Sequence, residues 1–412
     1  MQFIADFHIH SKYSRATSRD MDIKHLAEWA KLKGITLMGT GDFTHHLWLE
    51  ELKHNLEDLG NGLFKYKDIY FILTTEISSI YSKKGRTYRI HNMLLSPSFK
   101  TTDKINEVLA RRGNLASDGR PILGVDAADL ARMVFDIDEN CMLVPGHIWT
   151  PWFSLFGSMS GFDRIQDCFE EQTGKIFALE TGLSSDPAMN WRLSALDKFT
   201  LISNSDSHSP AKIGREANVF DCELDYKTIR EVLKTKDKKR FLSTIEFFPE
   251  EGKYHFDGHR LCGIRWSPDE TRQHNGKCPK CGKPVTVGVM SRVEKLADRQ
   301  EGYKPENAIP FKNLIPLDEI IAEARGVGKG SVAVEKDYFA FVAKFGTEFD
   351  ILLKATKEEL LKGLPARVAE AVLRVREGKV NIKAGFDGEY GTVSIFGNEE
   401  KDPHAEKQLS LF

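Results

Sequence analysis

Three observations predict that the first half of this 412-residue chain is an α/β fold, a parallel barrel or a doubly wound sheet. Strand and helix patterns alternate with little interruption to about residue 240. The strands are short apolar runs, as expected of strands buried on both faces. Histidines and acids recur within or just after strand ends, where a closed parallel barrel assembles its active site.

Apolar residues run through Phe3–Phe7 and Ile9, which predicts a first strand. His8 and His10 stand two apart, so their imidazoles share one side. Asp22–Lys33 has helical periodicity, with Asp20 or Asp22 as cap and Gly34 as stop. Ile35–Gly41 is a strand leading into Asp42, Phe43, Thr44 and His45, and a helix spans His46–Asp58. Ile69–Ile80 carries Glu76 and Arg86–Ser96 carries His91. A helix at Ala127–Ile137 precedes the strand Cys141–His147. Ile176–Thr181 ends at Glu180, and Thr200–Ser205 ends at Asp206 and His208. That is about seven strands with helical connections. A basic amphipathic helix, Tyr226–Arg240, closes this region.

Hydrophobic content of 41% and charged content of 29% are those of a globular protein. The formal net charge of −2 gives no global basic field to announce nucleic acid, although a local basic surface is compatible with it. No apolar run has the length of a membrane span and no export signal opens the chain. The expectation is therefore an intracellular, cytoplasmic protein without a membrane partner, its six cysteines reduced or metal-bound.

Six of the 13 histidines (His8, His10, His45, His91, His147, His208) accompany Asp42, Glu76, Glu180 and Asp206 at these strands. Buried carboxylates require a counter-charge, and mixed imidazole and carboxylate donors suit zinc or manganese. All ten are candidate metal ligands. Divalent ions acidify a bound water to about pKa 7 and supply hydroxide for in-line attack on phosphorus. Asp206, His208 and His147 are the candidate catalytic residues, Asp206 and His208 lying on a Ser/Asn-rich turn where they can also orient the water. Lys83, Lys84, Arg86 and Arg215 are candidate phosphate contacts, with solvated surface charge as the alternative.

The order His-x-His, Asp, Glu, His, His, Glu, Asp-x-His resembles that of the polymerase-and-histidinol-phosphatase (PHP) phosphoesterases. The resemblance implies a distorted (β/α)7 barrel holding two or three divalent ions, zinc or manganese and in some cases magnesium. The family often has Asp-His at the second strand. Here the pair is Asp42-Phe43, so either His45 supplies the missing ligand or Asp42 serves alone.

Past residue 245 the composition changes. Cys278-Pro279-Lys280-Cys281-Gly282 is a zinc knuckle, and His259 with Cys262 makes a second half at compatible spacing. One structural zinc on His259, Cys262, Cys278 and Cys281 is expected, with His255 or His274 as substitutes. Cys141, Cys168 and Cys222 read as buried thiols. Short helices are expected at Leu314–Gly326 and Lys336–Lys344. Lys357–Lys362, Gly363-Leu364-Pro365 and Ala366–Glu377 resemble a helix-hairpin-helix, in which backbone N–H groups near Gly363 would meet DNA phosphates. A plain αα-hairpin is the alternative. The terminal Gln408, Leu411 and Phe412 are similar to the opening of a sliding-clamp-binding box without its usual second aromatic, with a hydrophobic chain end of no consequence as the alternative.

This organisation divides the chain into a barrel (1–245), a zinc module (246–300), a helical domain (301–397) and a tail (398–412). As a whole it resembles the endonuclease Q family of PHP-type DNA repair endonucleases. The specific segments are Ala5–Ser11, Gly39–His45 and Tyr254–Arg260. The resemblance implies nucleoid-associated cleavage of DNA on the 5′ side of deaminated bases (uracil, hypoxanthine, xanthine) or abasic sites, with the altered nucleotide extruded. A PHP-type small-molecule phosphoesterase and a non-catalytic DNA- or clamp-binding factor are the other readings of the same residues.

Overall fold

The structure, a computed structural model, describes residues 1–397. Seven strands ring the first half: β1 (Gln2–Asp6), β2 (Leu37–Gly39), β3 (Ile69–Lys83), β4 (Arg86–Ser96), β5 (Met142–Pro145), β6 (Ala178–Glu180) and β7 (Thr200–Ile202). Ladders join β1–β2, β2–β3, β3–β4, β4–β5 and β6–β7. The two remaining seams are closed by scattered hydrogen bonds and not by ladders between the strands. Ile148 N donates to Glu180 O at 3.1 Å beyond β5, and His10 N donates to Ser207 O at 2.9 Å beyond β1. The expected seven-stranded ring is present, and these two thin seams are where it is distorted.

One expectation is corrected. β3 and β4 are antiparallel and joined directly, with Lys83 opposite Arg86, not through a helix. The intervening Lys84 (φ 51°) and Gly85 (φ 77°) are both left-handed, the geometry of a two-residue hairpin turn. So short a link cannot make a parallel crossover, which needs a dozen residues or more. Glu76 and His91 consequently lie in mid-strand and not at carboxyl ends.

Local signals set most helix limits. α1 (Ile23–Lys33) starts where the Asp22 side chain accepts from His25 N and stops at Gly34 (φ 90°). α2 (His46–Asn55) ends earlier than expected because Glu57–Asp58 pairs as a short strand with Phe64–Tyr66. α3 (Phe99–Ala110) and α4 (Ala127–Ile137) are capped by Ser98 and Asp126. α5 (Tyr226–Thr235) is shorter than its sequence pattern, since Lys236 turns left-handed and the chain proceeds to a strand at Phe241–Glu246.

That strand and Ala217–Asp221 widen the sheet outside the ring, and Phe311–Asn313 adds to it in parallel. The C-terminal helices α6 (Leu317–Arg325), α7 (Val332–Phe345), α8 (Lys357–Gly363) and α9 (Ala366–Arg376) share one apolar cluster with the barrel, through residues such as Ile320, Val342 and Val372. Gly363 has a packing reason to be glycine: a Cβ there would stand 2.2 Å from the Phe345 ring. Among the described residues no helix is long and apolar enough to cross a membrane.

Candidate metal centre

Beyond β1 the alternation continues. Phe7 and Ile9 enter the apolar clusters, and His8 and His10 meet acids carried by other strands. Three sets of ligand atoms lie within 4.8 Å of one another: His8, His10 and Glu76; His10, Asp206 and His208; Glu76, His91 and His147. His10 and Glu76 are each shared, so the three sets adjoin. Glu76 Oε1 is 2.7 Å from His91 Nδ1 and 3.1 Å from His147 Nε2. Glu76 Oε2 is 3.5 Å from His10 Nε2 and 3.7 Å from His8 Nε2. Asp206 Oδ1 is 3.0 Å from His10 Nε2 and 3.8 Å from His208 Nδ1.

Asp42 and Glu180 stand behind the imidazoles. His10 turns its Nδ1 to Asp42 Oδ1 at 3.0 Å, and Asp42 Oδ2 accepts from Ser11 N, Ser11 Oγ and Ser14 Oγ. His8 turns its Nδ1 to Glu180 Oε1 at 3.0 Å, and Glu180 also accepts from Asn204 Nδ2 and His147 N. Both histidines of the His-x-His pair thus present Nε2 to one space and hold Nδ1 on a carboxylate, the arrangement by which proteins fix the tautomer of a metal-bound imidazole. The sequence treats Asp42 and Glu180 as ligands; in the structure each faces an imidazole Nδ1 and belongs to none of the three sets. His45 joins none of the three sets and stacks on Tyr13, ring centroids 4.4 Å apart.

Backbone strain concentrates here. Asp42 (φ 49°), His147 (φ 28°) and Asp206 (φ 46°) are left-handed non-glycine residues, each costing about 1–3 kcal/mol where the surroundings impose it. Gly182 (φ 63°) faces His147, and a Cβ on it would fall 2.4 Å from that residue's Cβ.

Electrostatics supports a cation-binding role. Burial opposes ionisation of Glu76, yet the charge of His8 and the bonds from His10 and His147 hold it well below the usual carboxylate range. Burial pushes His91 down to about 4, so at neutral pH it contributes no positive charge to Glu76. For His8, His10 and His147 burial is outweighed by the surrounding carboxylates, which raise all three. Glu76 also meets the guanidinium of Arg120, 3.3 Å from its Oε2, and the charge of Asp206 acts on the same group. His8 Nε2 is buried without a hydrogen-bond partner. An orphaned imidazole nitrogen aimed among excess carboxylates fits a divalent metal.

A cleft of about 510 Å³ opens over the cluster, lined among others by His91, His147, Asp206, Arg120, Trp152 and Phe153. Trp149 is buried core, its Nε1 donating to Asn190.

A further candidate ligand set lies outside the barrel. His259 leaves the hairpin Asp257–His259/Ile264–Trp266. Its side chain and those of Cys262, Cys278 and Cys281 bring ligand atoms within 4.8 Å of one another, a donor set suited to structural zinc. Cys278 N donates to Lys283 O and Gly282 N to Cys278 O, which folds the knuckle. His274 stacks on Trp266 and His255 is buried; neither is in the set.

Residues 316–379 match a family model described as the MJ0043 C-terminal domain. Protein MJ0043 of Methanocaldococcus jannaschii is 36% identical over 268 residues, 63% of this chain but only 33% of that protein's length. The lesion-specific endonuclease PfuEndoQ of Pyrococcus furiosus superposes with a TM-score of 0.86 at 33% identity, covering 96% of this chain and 95% of that one. The chain belongs to the endonuclease Q family. An endonuclease Q in complex with a 27-mer duplex carrying an abasic lesion at its active site superposes with a TM-score of 0.85 at 32% identity, covering 99% and 100% of the two chains.

In this chain the basic residues singled out by sequence lie apart from the cleft over the ligand sets. Lys83 is paired with Asp126 and Glu170. Lys84 and Arg86 are exposed on the β3–β4 turn, and Arg215 donates through Nε to Ser205 O, bracing the loop that carries Asp206. The arginines that do line the cleft are Arg15 and Arg120. Sequence reading misses both, because each lies in a loop without periodicity or motif. Gln408, Leu411 and Phe412 fall outside the described residues.

Proposed function

We propose that this protein is a metal-dependent DNA repair endonuclease. It hydrolyses the phosphodiester 5′ to a deaminated base or an abasic site and leaves 3′-hydroxyl and 5′-phosphate ends. The observation that carries the reading is the run of three adjoining ligand sets at the floor of an open cleft. It is supported by full-length similarity to a lesion-specific endonuclease and to one complexed with duplex DNA carrying an abasic lesion.

The barrel's ligand sets would hold two or three divalent ions through His8, His10, Glu76, His91, His147, Asp206 and His208, and the Cys3His set one zinc. Ions bound there neutralise phosphate charge and acidify a water. The chain's own residues do the rest. Asp42 and Glu180 keep Nε2 of His10 and His8 unprotonated once their Nδ1 protons are fixed. Asp206 and His147, at the cleft wall, orient the attacking water, and the neutral His208 assists. Residues 1–245 carry the chemistry, 246–300 form the zinc-binding module, 301–397 hold the duplex, and 398–412 engage a sliding clamp through Gln408, Leu411 and Phe412. The setting is the nucleoid inside the cell.

The test is a panel of otherwise identical end-labelled duplexes, each with one altered base, incubated with Mn²⁺, Mg²⁺ or Zn²⁺. The expected result is a nick 5′ to uracil, hypoxanthine, xanthine or an abasic site, abolished by chelator and by Asp206→Ala. Turnover of phosphate monoesters with every duplex left intact would overturn the reading.

A further inference from the structure

We infer that Arg120 is a catalytic residue whose guanidinium binds a non-bridging oxygen of the scissile phosphate and stabilises the charge that develops there. The inference rests on the phosphodiesterase reading above and names the group that meets the phosphate.

Arg120 stands at the seam between the ligand sets and the cleft. Its Nη1 donates to Glu76 Oε2 at 3.3 Å, the same oxygen that faces Nε2 of His8 and His10. Its side chain is 28% exposed and shares the cleft wall with His91, His147 and Asp206. Among the described residues Nε and Nη2 of Arg120 make no hydrogen bond, so one edge of a fixed fork stays available to a planar oxyanion pair.

The loop holds this side chain in place. Gly119 N donates to Tyr13 O, Thr44 Oγ1 to Gly119 O, and Ser78 N to Pro121 O. Ile122–Leu123 pairs in parallel with Ser78 and Ser79 of β3. A Cβ on Gly119 would fall 2.3 Å from Asp42 Oδ2, so glycine is what lets the loop approach. A donor fixed by backbone contacts on both sides pays no reorganisation when charge appears.

The step is hydrolysis. The water oxygen forms a bond to phosphorus, the P–O3′ bond breaks, one proton leaves the water, and the departing O3′ takes up a proton. The phosphoryl oxygens carry more negative charge at the midpoint than in the diester, and the second edge of the Arg120 fork donates to one of them.

Arg120→Ala and Arg120→Lys are compared with the parent under single turnover, on a uracil-containing duplex and on bis(p-nitrophenyl) phosphate. Metal content and duplex affinity are measured in parallel. The expected result for Arg120→Ala is a rate loss of about 10²–10³-fold, with metal content unchanged and affinity within about threefold of the parent. Millimolar guanidinium restores part of the rate to Arg120→Ala, and Arg120→Lys remains impaired because it lacks the fork. Rates within threefold of the parent overturn the inference, as does a loss that tracks metal content and is not restored by guanidinium. A parent that hydrolyses the small diester but nicks no lesion duplex overturns the DNA reading instead. Arg120 is then judged on the small diester, where equal rates overturn it.

Discussion

Glu76 and His91 meet across the β3–β4 hairpin, Oε1 to Nδ1 at 2.7 Å, although the residue directly opposite His91 is Ser78. Diagonal neighbours on one face of an antiparallel pair are within reach of long side chains, and this diagonal brings an acid in mid-strand to an imidazole in mid-strand. Because Glu76 belongs to two of the three ligand sets, Glu76→Gln should remove metal as well as activity. The expected loss in nicking is at least the ~10²–10³-fold typical of deleting one preorganised charge partner. Metal analysis by atomic emission should find fewer ions per chain while the zinc on the Cys3His set is retained.

Asp42 offers a separable case. All its side-chain bonds run to His10, Ser11 and Ser14, so Asp42→Asn should leave the three ligand sets intact and act mainly through the tautomer of His10. Metal affinity is expected to fall about 10–100-fold, with activity recovered at saturating metal. Activity that stays low at any metal concentration would mean Asp42 does more than orient.

The acid-base behaviour of the cluster has a defined sign. Surrounding carboxylates raise His8, His10 and His147, so in the metal-free protein these imidazoles hold their protons to higher pH than a free imidazole does. Their contribution to its stability is complete below the unfolded value of 6.5 and is lost as pH rises through the raised folded values. His91, pushed down to about 4, works in the opposite sense, its contribution being lost as pH falls from 6.5 to 4. Metal requires neutral imidazoles, so binding should release protons near neutral pH. Calorimetry in buffers of different ionisation enthalpy measures that release, and metal affinity should weaken as pH drops.

The zinc module makes a residue-level prediction. His259→Ala or Cys278→Ser should cost one zinc per chain and make residues 257–285 sensitive to protease, since the hairpin and knuckle have little apolar core beyond Trp266, Cys278 and Val285. His274→Ala should keep the zinc, because His274 packs on Trp266 at 4.3 Å and is outside the ligand set.

What the sequence determined by itself was whatever local chemistry specifies. The Asp22 cap and Gly34 stop delimit α1, the run 127–137 is one helix, and the spacing of His259, Cys262, Cys278 and Cys281 fits a single ion. The residue types that gather inside the barrel were legible for the same reason, since few other roles accommodate buried imidazoles and carboxylates together. Tertiary structure alone decided that β4 runs against β3, and which carboxylate joins a candidate ligand set and which holds an imidazole from behind. It alone carried Arg120 from an unpatterned loop to the rim of the cleft. Those outcomes depend on contacts such as Ser11 to Asp42 and Asn204 to Glu180. Such contacts join residues 31 and 24 positions apart, and no periodicity in the chain encodes them.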